Sequence, residues 1–191
     1  MVSDGYKYDV FLSYRRLKET SFWIRKVRGQ LALWLSEELG RQAEIFVDED
    51  CIDLGSPWPD SLRAALQLSK CQVGVWSAMY FQSSWCMSEW QSFREREKIL
   101  NGQIPLIAPL RFSDGQHFPD EAKLTEYHDV GAYAYTQEVF WKTEQALLLE
   151  HSLKAFSKKV AKIVTDAPSF EEWPVIQAPD LLPRKIELAK L

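Results

Sequence analysis

The chain lacks most of the features that assign a sequence quickly. Its three cysteines, Cys51, Cys71 and Cys86, show no CxxC spacing within 191 residues. An odd count without that spacing excludes a regular disulfide framework and predicts reduced thiols. His117, His128 and His151 are scattered, with no ligand spacing to Cys or Asp, so no metal site is expected. Neither GxGxxG nor GxxxxGK[ST] occurs, which removes the two common glycine-rich phosphate cradles. No apolar run approaches the roughly 20 residues that a membrane helix needs. The polar, charged start reads as no secretory leader. Cationic excess is absent too: 23 Lys and Arg against 27 Asp and Glu leave a formal net charge of −4. That balance argues against general binding to nucleic acid or anionic membrane. Together these absences predict a cytoplasmic protein.

What is present is apolar and aromatic. Hydrophobic residues make up 46% of the chain, and there are eight Trp, enough for one sizeable core. Residues 8–14 are apolar on both faces, as in a central strand, and stop at Tyr14, Arg15 and Arg16. Trp23, Val27, Leu31, Trp34 and Leu35 recur at helical spacing between Thr20 and Leu39, and Gly40 supplies the stop. Residues 43–48 read as a second strand, and the Gly- and Pro-containing stretch 49–59 as a loop. A short helix around Leu62, Ala65 and Leu66 precedes a third strand over Cys71–Ser77. Ser83 or Ser84 caps a long helix running toward Leu100. A fourth strand is expected over Ile104–Phe112, with Pro105 and Pro109 pushing it to a sheet edge, and a fifth over Val130–Tyr135. Thr136 opens a final helix with Leu149, Leu153, Phe156, Val160 and Ile163 on one stripe. Strands alternating with helices imply a parallel sheet covered on both faces. After about residue 165, Pro168, Pro174, Pro179 and Pro183 break any long element. The expected division is therefore a domain over 1–165 and a proline-rich tail over 166–191. That tail reads as a strap or a disordered end, and its Phe170, Trp173, Leu181 and Leu182 leave partner docking open.

In an open α/β sheet, ligands bind beyond the carboxyl ends of the strands, where strand order reverses. That rule gathers Tyr14, Arg15 and Arg16 after the first strand, Asp48 and the loop to Trp58 after the second, and Ser77 and the Trp85 helix after the third. Arg15 and Arg16 are solvated charges or phosphate clamps, since guanidinium forks match phosphate oxygens. Trp58 and Trp85 are core anchors or stacking surfaces. Glu89, one turn after Trp85, is either an acid that favours the helix start electrostatically or a catalytic carboxylate. Cys86 invites a thiol-nucleophile reading, but no histidine lies near it in sequence, and a structural role is preferred.

These segments resemble the Toll/interleukin-1 receptor (TIR) domain family. Tyr8–Arg16 looks like the family's first box, and Phe46-Val47-Asp48 with the Gly55 loop resembles its second strand and BB loop. Trp85-Cys86-Met87-Ser88-Glu89 is similar to the W-x-x-x-E helix of members that consume NAD+. The resemblance spans roughly residues 6–165. It implies a flavodoxin-like, doubly wound, five-stranded parallel sheet. It also implies that Glu89 matches the catalytic glutamate, with Tyr14, Arg15, Arg16, Asp48, Trp58, Ser77 and Trp85 as substrate-binding candidates and NAD+ as substrate rather than cofactor. The implied activity is cleavage of the nicotinamide–ribose bond by a hydrolase or cyclase. The implied setting is self-association through the BB loop, with an effector or sensor protein as a further partner and prokaryotic antiviral defence as the role. The competing expectation is a non-catalytic adaptor, or a mimic of host signalling, acting through TIR–TIR assembly. A receiver-type response module ranks last, because only Asp48 of its acidic constellation is evident.

Overall fold

A computed structural model describes residues 5–47 and 60–177. Five parallel strands run in the order β2-β1-β3-β4-β5. They are β1 Tyr8–Tyr14, β2 Ile45–Val47, β3 Ser69–Trp76, β4 Ile107–Arg111 and β5 His128–Asp129. The helices are α1 Ser21–Leu39, α2 Asp60–Gln67, α3 Ala78–Phe81, α4 Ser84–Ile99, α5 Asp120–Lys123 and α6 Glu144–Asp166. This is the doubly wound, flavodoxin-like order expected from the sequence.

Side chains alternate across β1 because a strand has period two. Val10 and Leu12 enter a core with Trp23, Val27 and Leu31 of α1 and Leu149, Leu153 and Phe156 of α6. Phe11 enters the opposite core, with Leu62 and Leu66 of α2 and Trp90 and Phe93 of α4. A parallel sheet buried on both faces is the outcome that two-sided apolar strands require. α1 ends at Gly40, whose φ of 66° lies in the left-handed region and closes the helix. At the other end of β1, Asp9 is 4% exposed and takes a two-pronged ion pair from Arg41, with both N···O distances 2.6 Å.

β2, β3 and β4 differ from their expected ranges by one to three residues at their ends, and three larger departures have local reasons. β4 is not an edge strand, since β5 pairs beyond it. Phe112 N–H donates to Trp76 O and Val130 N–H donates to Arg111 O, so odd-numbered residues of β4 face β5. Pro109 shares that parity, and β5 is in register only with Leu110 and Arg111. Its missing N–H thus falls just beyond the end of the shorter strand. Ile107, on the same side, donates its N–H to the Glu97 carboxylate at 3.2 Å. The fifth strand is His128–Asp129 rather than 130–135. Asp129 Oδ1 accepts from Gly131 N–H at 2.9 Å and turns the chain into a 3-10 helix over Gly131–Tyr133. The final helix begins at Glu144, not Thr136, because a second 3-10 turn, Glu138–Lys142, anchors Phe140 (6% exposed) in the core first.

Residues 167–177 pack back on the domain as a strap. Trp173 is 2% exposed and donates Nε1–H to Tyr6 Oη at 2.9 Å. Gln67 Nε2 donates to its carbonyl at 3.2 Å, and the Arg96 guanidinium of α4 lies 5.7 Å from its ring. Further along, Ile176 N–H donates to Ser92 Oγ of α4 at 2.9 Å. Leu181 and Leu182 lie outside the described residues. Trp173→Ala should cost about 3 kcal/mol of unfolding free energy through the cavity it leaves. A urea titration checks this, and a change under about 0.5 kcal/mol would mean the strap does not share the domain's cooperative unit.

Candidate active site

The strand order reverses between β1 and β3, whose carboxyl ends carry Ser13-Tyr14-Arg15-Arg16 and Trp76-Ser77. Ser13 shares the Phe11 face of β1 and so points toward α3 and α4. Its hydroxyl donates to Glu89 Oε2 at 2.5 Å and lies 2.9 Å from Tyr80 Oη. A hydroxyl has one hydrogen to give. Since Ser13 spends it on the carboxylate, Tyr80 is the donor to Ser13, and the chain of bonds runs Tyr80 to Ser13 to Glu89. Burial, then the charges of Cys86 and Glu89, push the Tyr80 phenol well above its ordinary pKa, so it stays protonated as this direction demands.

Local sequence builds each part. Ser77 caps the four-residue α3 by accepting Tyr80 N–H at 3.1 Å, which turns Tyr80 inward to 0% exposure. Ser83 caps α4 by accepting Cys86 N–H at 3.4 Å, as the sequence predicts. Glu89 follows in the second turn, 7% exposed. Gly74 stands opposite Ser13 in the β1–β3 register. A Cβ there would come 2.6 Å from Trp76 Nε1, so the absent side chain makes room for the indole, with Tyr80 Oη at ordinary contact distance.

Arg15 reaches the same helix start, its Nη1 donating to Ser83 Oγ at 3.2 Å. Its Nε is buried with no hydrogen-bond partner among the described residues. Arg16 is half-buried and, with Arg15, acts electrostatically on Cys86. Trp85 is half-buried against the α2–α4 core. Tyr14 and Ser77 take another position. With Arg15, Ile24, Met79 and Phe112 they line a largely apolar cavity of about 200 Å³ on the α1 side of the strand ends. Glu89 is not among the residues lining it. The candidates therefore divide between two sides of one sheet edge, with Arg15 touching both. Asp48 and Trp58 lie outside the described residues.

Ser13, Tyr80 and Gly74 escaped the sequence reading as site residues. A lone hydroxyl at an inward position of an apolar strand was the available signal for Ser13. Tyr80 had none, because nothing in its neighbourhood separates it from a core aromatic. Cys86 is 3% exposed, and burial, then the Glu89 charge, raise its thiol pKa far out of the reactive range. Cys71 is likewise buried, and desolvation, then Asp9, raise its pKa. No group of three or more potential metal ligands occurs among the described residues. No helix among them is long and apolar enough to cross a membrane.

A five-stranded parallel sheet in this order, with polar groups collected at its point of reversal, defines a flavodoxin-like α/β protein. The family profile described as TIR domain matches residues 10–143, and the chain belongs to the TIR domain family. Among solved structures, the TIR domain of the Toll-related receptor TRR-2 from Hydra magnipapillata is similar at 19% identity and a TM-score of 0.45, over 76% of this chain and 99% of that one. The TIR domains of the activated Roq1 resistosome, which directly recognises the pathogen effector XopQ, are similar at 22% identity and a TM-score of 0.37, over 82% of this chain and 85% of that one. A comparison with curated proteins finds no match.

Native protein treated with iodoacetamide at about pH 8, near the ordinary thiol pKa, should leave Cys71 and Cys86 unmodified. Both should alkylate in denaturant, read by peptide mass mapping. Rapid native labelling of Cys86 would reveal an open, ionisable thiol instead.

Proposed function

We propose that this TIR domain cleaves the bond between nicotinamide and ribose in NAD+, with Glu89 as the catalytic carboxylate. The observation that carries this reading is Glu89 itself, 7% exposed and bonded to Ser13 near the carboxyl end of β1. Glycosidases generally use two carboxyl groups, one of them to protonate the departing oxygen. Nicotinamide departs from NAD+ as a neutral molecule, since the electron pair of the broken C–N bond cancels the pyridinium charge. No acid is required. The remaining task is to stabilise positive charge developing on the ribose, which a carboxylate largely withdrawn from water does electrostatically. Arg15, with its unpartnered Nε, and Arg16 are the groups suited to the pyrophosphate. Tyr14, Ser77 and Trp85, together with Asp48 and Trp58 outside the described residues, are the further substrate-binding candidates. Water capturing the cation yields ADP-ribose, with its proton passing to Glu89 and on to solvent. Capture by a nitrogen or hydroxyl of the same molecule yields a cyclic isomer.

In this reading the protein acts in the cytoplasm as a source of a nucleotide signal in prokaryotic antiviral defence. Self-association through the loop following β2 tunes the activity, and a sensor or effector protein is its partner. A second reading, a non-catalytic adaptor working through TIR–TIR assembly, draws support from one observation. Glu89 is satisfied by Ser13 and lies apart from the cavity that Tyr14 and Arg15 line.

Incubation with NAD+, dilute and concentrated, separates the two. The expected result is nicotinamide release, identified by chromatography and mass spectrometry, falling at least about 100-fold in Glu89→Gln with unchanged circular dichroism. Full activity in folded Glu89→Ala, or no release at any protein concentration, would leave the adaptor standing.

A further inference from the structure

We infer that Ser13, backed by Tyr80, is a positioning residue that sets the orientation of the Glu89 carboxylate; its catalytic consequence rests on the NAD+-cleaving reading above. Three separate elements converge to make this contact. Ser13 comes from β1, Tyr80 from α3 and Glu89 from α4, at 2.9 Å and 2.5 Å. All three side chains are 7% exposed or less, so water does not compete for these bonds. Phe11, Trp76, Cys86 and Trp90 belong to the same core as Tyr80, and the buried Gln72 amide of β3 also acts on the phenol.

An acid at such a position is a poor choice for stability alone. A well-packed apolar residue of similar volume often stabilises a fold as much as a buried ion, or more. The Ser13 hydroxyl does more than satisfy one carboxylate oxygen, because it is itself backed by Tyr80. Tyr80 is fully buried on α3, whose first turn Ser77 caps, and its ring packs 5.1 Å from Phe81. Burial and neighbouring charge keep the Tyr80 phenol protonated, so it has a hydrogen to give to Ser13 Oγ 2.9 Å away, leaving the serine hydrogen for Glu89. The result is a relay that ties the Oε2 atom of Glu89 to β1. A carboxylate that stabilises a transient cation gains by being held in advance, since misplacement by about 1 Å can cost roughly 100-fold in rate.

The test has a kinetic and a spectroscopic arm. In folded protein, Ser13→Ala should lower kcat for nicotinamide release roughly 10–100-fold with KM within about twofold. Tyr80→Phe should lower it less, and Ser13→Thr should recover most of kcat. A purely structural hydroxyl would lower the melting temperature and leave kcat of the folded fraction unchanged, which would overturn the inference while Glu89→Gln still identified the enzyme. The second arm needs no turnover. In glutamate-labelled protein, the Glu89 carboxyl carbon, assigned by its loss in Glu89→Gln, should move in Ser13→Ala and Tyr80→Phe but not in Thr165→Ala on α6. A resonance unmoved by Ser13→Ala overturns the inference even if the protein never cleaves NAD+.

Discussion

A carboxylate withdrawn from water must be met by donors, and meeting that demand at Glu89 constrains much of this domain. The donor is a serine on β1, so β1 and α4 must hold a fixed separation. The serine in turn accepts from Tyr80, so the four-residue α3 must turn at Ser77 and nowhere else. Gly74, opposite Ser13 in the β1–β3 register, makes room for the neighbouring Trp76 indole. A shift of one residue would turn Ser13 toward the α1–α6 core and remove its bond to the acid. Strand pairing and a short cap thus serve one hydrogen bond.

The sheet edge beyond β1 has two unlike sides. Toward α4 stands the acid, with protonated hydroxyls behind it. Toward α1 lies a small apolar cavity, lined in part by Tyr14 and Ser77. Arg15 belongs to both, since it lines the cavity and donates to the serine that caps the Glu89 helix. The sequence alone had grouped all these residues into a single pocket.

The fold was legible where periodicity was strong. Trp23, Val27, Leu31 and Leu35 announced α1, Gly40 its end and Ser83 the start of α4, and each residue does what its chemistry prescribes. Misreadings arose where a local bond outcompeted pattern. Pro109 was read as an edge signal, but a partner strand that stops short tolerates a proline beside its end. Val130 and its aromatic successors looked extended, yet the Asp129 side chain captured Gly131 N–H and wound the chain into a turn. In the candidate site, Glu89 and Arg15 could be singled out by position after strands and caps. Tyr80 could not, because a phenol that completes a polar relay and one that fills a core have the same sequence signature. Neither could the division of Tyr14 from Glu89 be foreseen without committing to strand parity.

The lower rim of β4 has a consequence for how copies of this chain meet. On the side facing β5, the short partner strand leaves Ile107 and Pro109 beyond its cover. There Glu97 occupies the Ile107 amide and proline offers no amide at all. Ile107 and Pro109 are also buried, so the margin offers an incoming strand no row of alternating donors and acceptors. At this margin the sheet is a closed hem, so molecules brought together at high concentration cannot splice their sheets end to side here. Any ordered array that includes this margin must be stitched through helices and loops.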